Sequence, residues 1–504
     1  MQQFFSSLVF TFGPFLFLMG MTLYSCAQAP GLPPLSTFAD PLYKNHGTYR
    51  EKSIQSRRFK HSDLEPILKA LPAPFQVKAV GKSMEGRPIY HVKTGSGPVQ
   101  VLLWSQMHGD ESTATMALLD LFNFMQRNDE LNPLRELLQK ELTLHFLPML
   151  NPDGAERFTR RNLLEIDINR DADRLVTPEG RLLKYMRDSL KADWGFNLHD
   201  QNRYYSAGLN PHTASISFLA PAYNVEKEIN EVRGNAMRLI GFMNRTLQEF
   251  IPGKVARYDD TFEPRAFGDN IQKWGTSTIL IESGGLEGDP EKQELRRLNF
   301  VSILTALETI ANQGFAEYDF SWYEALPFNE SNGFHDLILR EVEIQRNGGW
   351  HKVDLAFRRE EVNTNNARSF YYRSSLVDLG DMSVHHAYDD YPLAGYRVVP
   401  GKAYSSVLPN VQELSKLDIH SLLRQGITDI PVSSFELGPD LSTLPVRVVK
   451  PGNNGNAIRL GQNPSLLVQK NGETHYVVVN GSIFDLRKGP EEIKAHMGKV
   501  VRGN

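Results

Sequence analysis

Val99-Gln-Val-Leu-Leu-Trp104-Ser-Gln-Met-His108-Gly-Asp-Glu111-Ser112 is the stretch on which the fold turns. The short apolar run Val99 to Trp104 predicts a strand. A run from Ser112 to Arg127 follows, with Met116, Leu119, Phe122 and Phe124 at helical spacing, and predicts a helix packed on one face. His108 and Glu111 stand three residues apart at the junction, where both side chains can point at one bound ion. His-x-x-Glu is common by chance, so the pair gains weight only from what lies further along the chain.

Working outward, the same alternation returns. Leu142 to Leu150 is a nearly unbroken apolar run, as expected of a strand covered on both faces. Trp194–Leu198 and Thr276–Ile281 read as short buried strands. Asp63–Leu71, Pro178–Leu190, Asn224–Phe250 and Asp289–Asn312 read as helices. Strands alternating with helices over residues 63–315 predict an α/β sandwich with a mostly parallel sheet. In such sheets the site lies beyond the carboxyl ends of the strands. His108, Asn151, His199 and Glu282 each fall just past the end of a predicted strand, at one sheet edge.

The rest of the chain has a different texture. Residues 325–504 carry short apolar runs separated by Asn-Gly and Gly-rich turns, and predict one or two β-rich modules. Leu466–Lys470 and His475–Val479 flank Asn471-Gly472 as a hairpin. Residues 1–26 contain the uncharged apolar run Phe4–Leu23, which reads as a secretory signal or a membrane anchor. The single cysteine, Cys26, follows that run and resembles the lipidated residue of a bacterial lipoprotein. The body of the protein is therefore expected outside the cytoplasm, with possible membrane attachment through Cys26. Residues 27–62 read as a linker or N-terminal arm. One cysteine excludes an intramolecular disulfide, and a net charge of -4 gives no nucleic-acid footprint.

Two imidazoles and one carboxylate, from His108, His199 and Glu111, leave a fourth metal position open. That is the pattern of a catalytic zinc site, with ligands about 2.0–2.2 Å from the ion. A zinc-bound water has a pKa lowered toward about 7. A neighbouring carboxylate can then act as general base and later as proton donor, and Glu282 is the candidate. Arg170 with Asn169 is a natural clamp for a carboxylate, and Arg160 could face an oxyanion. Taken singly, each residue has a plainer reading as a turn, helix-start or surface group.

Taken together, the residues resemble the zinc metallocarboxypeptidases of the carboxypeptidase A type, also called funnelins, over about residues 100–285. The resemblance implies an α/β/α sandwich with a mixed eight-stranded sheet. It implies one zinc ion per chain on His108, Glu111 and His199, and Asp167 as the carboxylate that orients a ligating histidine. It also implies Arg160 at the oxyanion, Asn169 and Arg170 on the substrate's terminal carboxylate, and Glu282 as general base. The expected substrate is a peptide with a free C-terminal carboxylate. The family's substrate-capping tyrosine has no match in 259–267, and Tyr258 is the nearest. Two other functions fit the same residues: a zinc-dependent deacylase or amidase acting on N-acyl amino acids or cell-wall peptides, and an inactive peptide- or glycan-binding protein. His385-His386 with Asp389-Asp390 reads as solvated loop residues.

Overall fold

The computed structural model describes residues 35–331, 333–453 and 456–489. The apolar run 4–23 and Cys26, read above as a signal or anchor, lie outside the described residues. Among the described residues no helix is long and apolar enough to cross a membrane.

A mixed eight-stranded sheet organises the first half. Its strands are β1 (Gln76–Lys82), β2 (Pro88–Gly95), β3 (Val99–Ser105), β4 (Leu142–Leu147), β5 (Trp194–Asp200), β7 (Ile216–Leu219), β8 (Val255–Arg257) and β9 (Ser277–Ser283); β6 (Ser206–Ala207) lies outside it. The order is β1-β2-β4-β3-β5-β9-β7-β8. The central pairs β4/β3, β3/β5 and β5/β9 are parallel, so these four strands end at the same edge. Strand β3 shows why helices cover both faces. Val101 and Leu103 enter one apolar core, whereas Leu102 and Trp104 enter another, as the two-residue period of a strand requires. Helices α1 (Ala39–Tyr49), α3 (Thr113–Met125), α4 (Asn132–Glu141), α7 (Glu231–Gln248) and α9 (Gln293–Ala311) cover the first face; α6 (Pro178–Leu190) and α8 (Phe267–Lys273) cover the second. Two short helices, α2 (His61–Lys69) and α5 (Pro152–Arg157), complete the layers.

Residues 27–62 were expected to be a linker or arm, and for the described residues 35–62 the structure corrects this. Helix α1 is a core element: Leu42 and Tyr49 are buried within the first core. Its polar residues misled the reading because one of them is buried with a partner. His46 Nε2 lies 2.8 Å from Asp120 Oδ2 in α3, and the same carboxylate accepts from Arg296 Nε of α9 at 2.6 Å. The backbone N–H of Glu51 donates to Asp120 Oδ1 at 2.7 Å. Both Asp120 and Arg296 are fully buried. Removing one partner of such a pair strands a buried charge. Asp120→Ala is therefore expected to lower the unfolding free energy by about 3–5 kcal/mol, read as a shift in the urea midpoint. A loss below about 1 kcal/mol would show that Arg296 finds another partner.

Between β2 and β4, His91 Nε2 meets His145 Nδ1 at 3.0 Å. Burial first, then neighbouring Lys93 and Lys78, lowers His91 to about 4. Burial, then His91, lowers His145 to about 3. Both are neutral in the fold but take protons near 6.5 when unfolded. Their stabilisation is complete above that value and is lost as pH falls from about 6.5 toward 4. In chelator-treated protein, stability is expected to fall with acidification across this window, and to fall less in His91→Gln/His145→Gln. Identical slopes would remove the pair from the acid response.

The second half is β-rich, as expected. Strand β10 (Asn329–Glu330) pairs with β6 of the first half. A large sheet then combines β11 (Phe334–Arg346), β12 (Gly349–Thr364), β13 (Ser369–Gly380), β14 (His386–Pro392) and β15 (Arg397–Pro400) with β20 to β22. A small sheet of β16 (Lys402–Ala403), β17 (Leu408–Asn410), β18 (Ile427–Ser434) and β19 (Arg447–Val449) shares an apolar core with one face of β20 (Leu466–Lys470), β21 (Glu473–Val479) and β22 (Ser482–Asp485). The β20–β21 hairpin turns at Asn471 and Gly472, with φ of 53° and 83°, the left-handed pair that this turn demands.

Candidate active site

Strand β3 ends at Ser105, and Gln106 takes a φ of 46° that swings the chain over the sheet edge. The N–H of Asn151 donates to the Gln106 carbonyl at 2.9 Å, tying the loop after β4 to this turn. Asn151 Oδ1 accepts the N–H of Gly154 at 2.9 Å, so Asn151-Pro-Asp-Gly154 is the capped start of α5. A Cβ on Gly109 would lie 2.0 Å from the Gly154 backbone. Glycine between His108 and Glu111 is thus a packing requirement. Asn151 buttresses the loop and is not among the converging ligand atoms.

His108, Glu111 and His199 form the one group among the described residues whose ligand atoms converge as a metal site would require. His108 Nδ1 is 2.8 Å from Glu111 Oε1, His199 Nδ1 is 2.7 Å from Glu111 Oε2, and the two imidazole nitrogens are 3.2 Å apart. Two ligands each about 2.0–2.1 Å from one ion at a tetrahedral angle stand about 3.3 Å apart, so the separation of the two imidazole nitrogens fits a shared zinc, while Glu111 sits at hydrogen-bond distance from both. His108 turns its other nitrogen, Nε2, to Asp167 Oδ1 at 3.0 Å, which fixes which nitrogen faces the centre. Burial opposes a charge on His108, but Glu111 and Asp167 outweigh it and push it up to about 9. Burial would raise Glu111, yet His108 and His199 hold it well below the usual carboxylate range.

Glu282 belongs to the end of β9, in register with His199 of β5. Both residues are the last but one of their strands, where sequence reading had the strands stop just before them. Lys292 Nζ bridges the two strand ends, reaching Asp200 Oδ2 at 3.0 Å and the Ser283 carbonyl at 2.9 Å. Burial, then the Glu111 carboxylate, raises Glu282 well above the usual carboxylate range. Tyr258, just past β8, has its phenol raised by burial and then by Glu282, and its Oη lies 3.4 Å from Tyr205 Oη. Tyr258 therefore stands within electrostatic reach of Glu282.

Arg160 reaches the same centre. Its Nε donates to Asp167 Oδ2 at 3.0 Å, and its Nη1 to Glu111 Oε1 at 3.2 Å. Asn169 and Arg170 sit in the single turn Ile168–Arg170, capped by Asp167, whose Oδ1 accepts the Asn169 N–H at 2.9 Å. Asn169 commits its carbonyl oxygen to the Phe267 N–H at 2.9 Å, so its amide N–H pair is the end available to an incoming anion. Arg170 Nε stands 3.6 Å from Glu263 Oε2 with the side chain 39% exposed. Arg265 is a surface residue paired with Glu263 at 2.9 Å. His385 and Asp390 point elsewhere: His385 Nδ1 meets His335 Nε2 at 2.9 Å, and Asp390 pairs with Arg340 at 2.6 Å.

Residues 61–251 match the zinc carboxypeptidase family. The chain carries a zinc carboxypeptidase domain. His108, Glu111, Arg160, Asn169, Arg170 and His199 lie inside the matched segment, and Glu282 lies beyond it. Carboxypeptidase SOL1 of Arabidopsis thaliana is 31% identical over 99 residues, 18% of this chain and 20% of that protein. Human carboxypeptidase D is 26% identical over 159 residues, 27% of this chain and 12% of that protein. The chain therefore spans a fifth or less of these curated relatives. Among solved structures, a metallo-carboxypeptidase from Burkholderia cenocepacia aligns with a TM-score of 0.40 at 16% identity, covering 51% of this chain and 70% of that one. The family is zinc-dependent, and the carboxypeptidase domain of this chain has one buried His/Glu/His set with which to hold the ion.

Proposed function

We propose that the chain is a zinc carboxypeptidase that removes C-terminal residues from peptides outside the cytoplasm. One zinc ion per chain would be held by His108, Glu111 and His199. The observation that carries this reading is the convergence of those three side chains with Glu282 in register beside His199. When bound, the ion supplies Lewis-acid polarisation and an acidified water.

The chain's own residues do the rest. Asn169 and Arg170 hold the substrate's terminal carboxylate, the guanidinium matching its planar geometry. Glu282 takes a proton from the attacking water and returns it to the leaving amine. Arg160, fixed by Asp167, stabilises the negative charge that develops on the carbonyl oxygen. Tyr258, just past β8 and within electrostatic reach of Glu282, is the residue we assign to the family's substrate-capping tyrosine. The uncharged run ending at Cys26 supports export with lipidation at that cysteine, and the mass of the mature N-terminus would check it.

The decisive experiment incubates a mixed library of free-acid and amidated peptides with the protein, with and without a chelator, and reads products by mass spectrometry. The expected result is chelator-sensitive loss of single C-terminal residues from free acids only. Absence of cleavage by protein carrying one zinc would sink the reading and favour a deacylase or amidase.

A further inference from the structure

A cleft of about 1290 Å³ opens from the candidate site toward the C-terminal β-rich part. On one side it is lined by Asp110, Glu111, Gln201 and Gly285. On the other it is lined by Glu360 of β12, Ser375 and Val377 of β13, and Asp389 and Tyr391 of β14. Four consecutive residues of β12, Arg358 to Glu361, also line it, as do Tyr372 and Tyr388. Strands β12, β13 and β14 of the β-rich part therefore form a wall of the cleft that begins at Glu111.

That wall is fixed to the catalytic strands. Tyr388 Oη of β14 donates to the Arg203 carbonyl at 2.8 Å, four residues after His199. A Cβ on Gly285, three residues after Glu282, would lie 2.2 Å from the same hydroxyl. The Arg203 guanidinium pairs with buried Asp336 of β11 and lies 5.0 Å from the Tyr372 ring of β13. Arg57 pairs with Glu361 of β12, and the Arg57 carbonyl accepts from Ser112 Oγ, next to Glu111, at 2.5 Å. Loops following both His199 and Glu282 are thus packed against the β-rich part.

The direction of a bound chain follows. Asn169 and Arg170, which would hold the terminal carboxylate, do not line this cleft. Glu111, which shares the metal site, does line it, so a peptide anchored at Asn169 and Arg170 with its scissile bond beside Glu282 has the cleft open to it past Glu111. The space exceeds the roughly 300–1,000 Å³ typical of small-molecule pockets, more than an N-acyl group or a blocked dipeptide would fill. We propose that the C-terminal β-rich part forms the binding wall for the residues upstream of the scissile bond, so that the substrate is an extended peptide. This rests on the carboxypeptidase reading.

The test compares the zinc-loaded full chain on a blocked dipeptide and on a hexapeptide ending in the same residue. The expected kcat/KM is about tenfold or more higher for the hexapeptide, carried by KM, since upstream contacts supply binding energy. Val377→Trp, at an exposed position of β13, and Tyr391→Ala, on β14, are each expected to bring that ratio toward one by raising the hexapeptide KM. Equal kcat/KM for the two peptides, or variants that both keep the wild-type ratio, would overturn the cleft assignment while dipeptide cleavage left the carboxypeptidase reading standing. No cleavage of either peptide would overturn that reading and this proposal together.

Discussion

Glu282→Gln protein is expected to bind its metal normally and to lose turnover by about 10³–10⁴-fold, the upper range for removing a general acid–base group. Glutamine keeps the shape of the side chain and its place in β9, and residue 282 is not one of the three converging metal-site residues. It cannot accept a proton. The carboxyl it replaces is half-buried and lies within electrostatic reach of Glu111, so its loss removes a charge repulsion and should not unfold the protein. Metal content and kcat at saturating peptide are the two readouts. Normal metal with near-normal kcat would remove Glu282 as the base, and lost metal would mean that it serves the ligand set instead.

Arg170→Ala is expected to lower kcat/KM for free-acid peptides by about a hundredfold, near 2.7 kcal/mol at 1.36 kcal/mol per tenfold. Peptides amidated at the C-terminus, already poor substrates, should lose far less. The difference arises because only the free acid presents a charge to the guanidinium. The Arg170 contacts with the Asn169 carbonyl and Glu263 are local and partly exposed, so the fold should be unaffected. Equal losses on both substrate types would refute the clamp and point to a structural role.

Much of the site was legible in the chain because its chemistry is local. His108 and Glu111 are three residues apart on one turn, and Asp167, Asn169 and Arg170 share another. His199 and Glu282 were found separately, by the rule that α/β sheets place their sites at the carboxyl ends of strands. Apolar periodicity was enough for the strand–helix alternation and for the Asn471-Gly472 hairpin, since both depend on neighbours in sequence. What failed was whatever depends on distant partners. Helix α1 looked like an arm because its buried histidine is satisfied only by Asp120 of α3. Tyr258 lies just past β8, outside the stretch 259–267 in which sequence spacing looked for a capping tyrosine.

The sequence by itself determined which residues could hold a metal and which strands end together. Tertiary structure alone decided that β5 lies beside β9, putting His199 in register with Glu282. It also decided that Tyr388 of the β-rich part rests on Gly285. Local periodicity records how each segment buries its own apolar face. Which buried faces meet is settled by packing between segments far apart in the chain, and no single stretch of sequence carries that information.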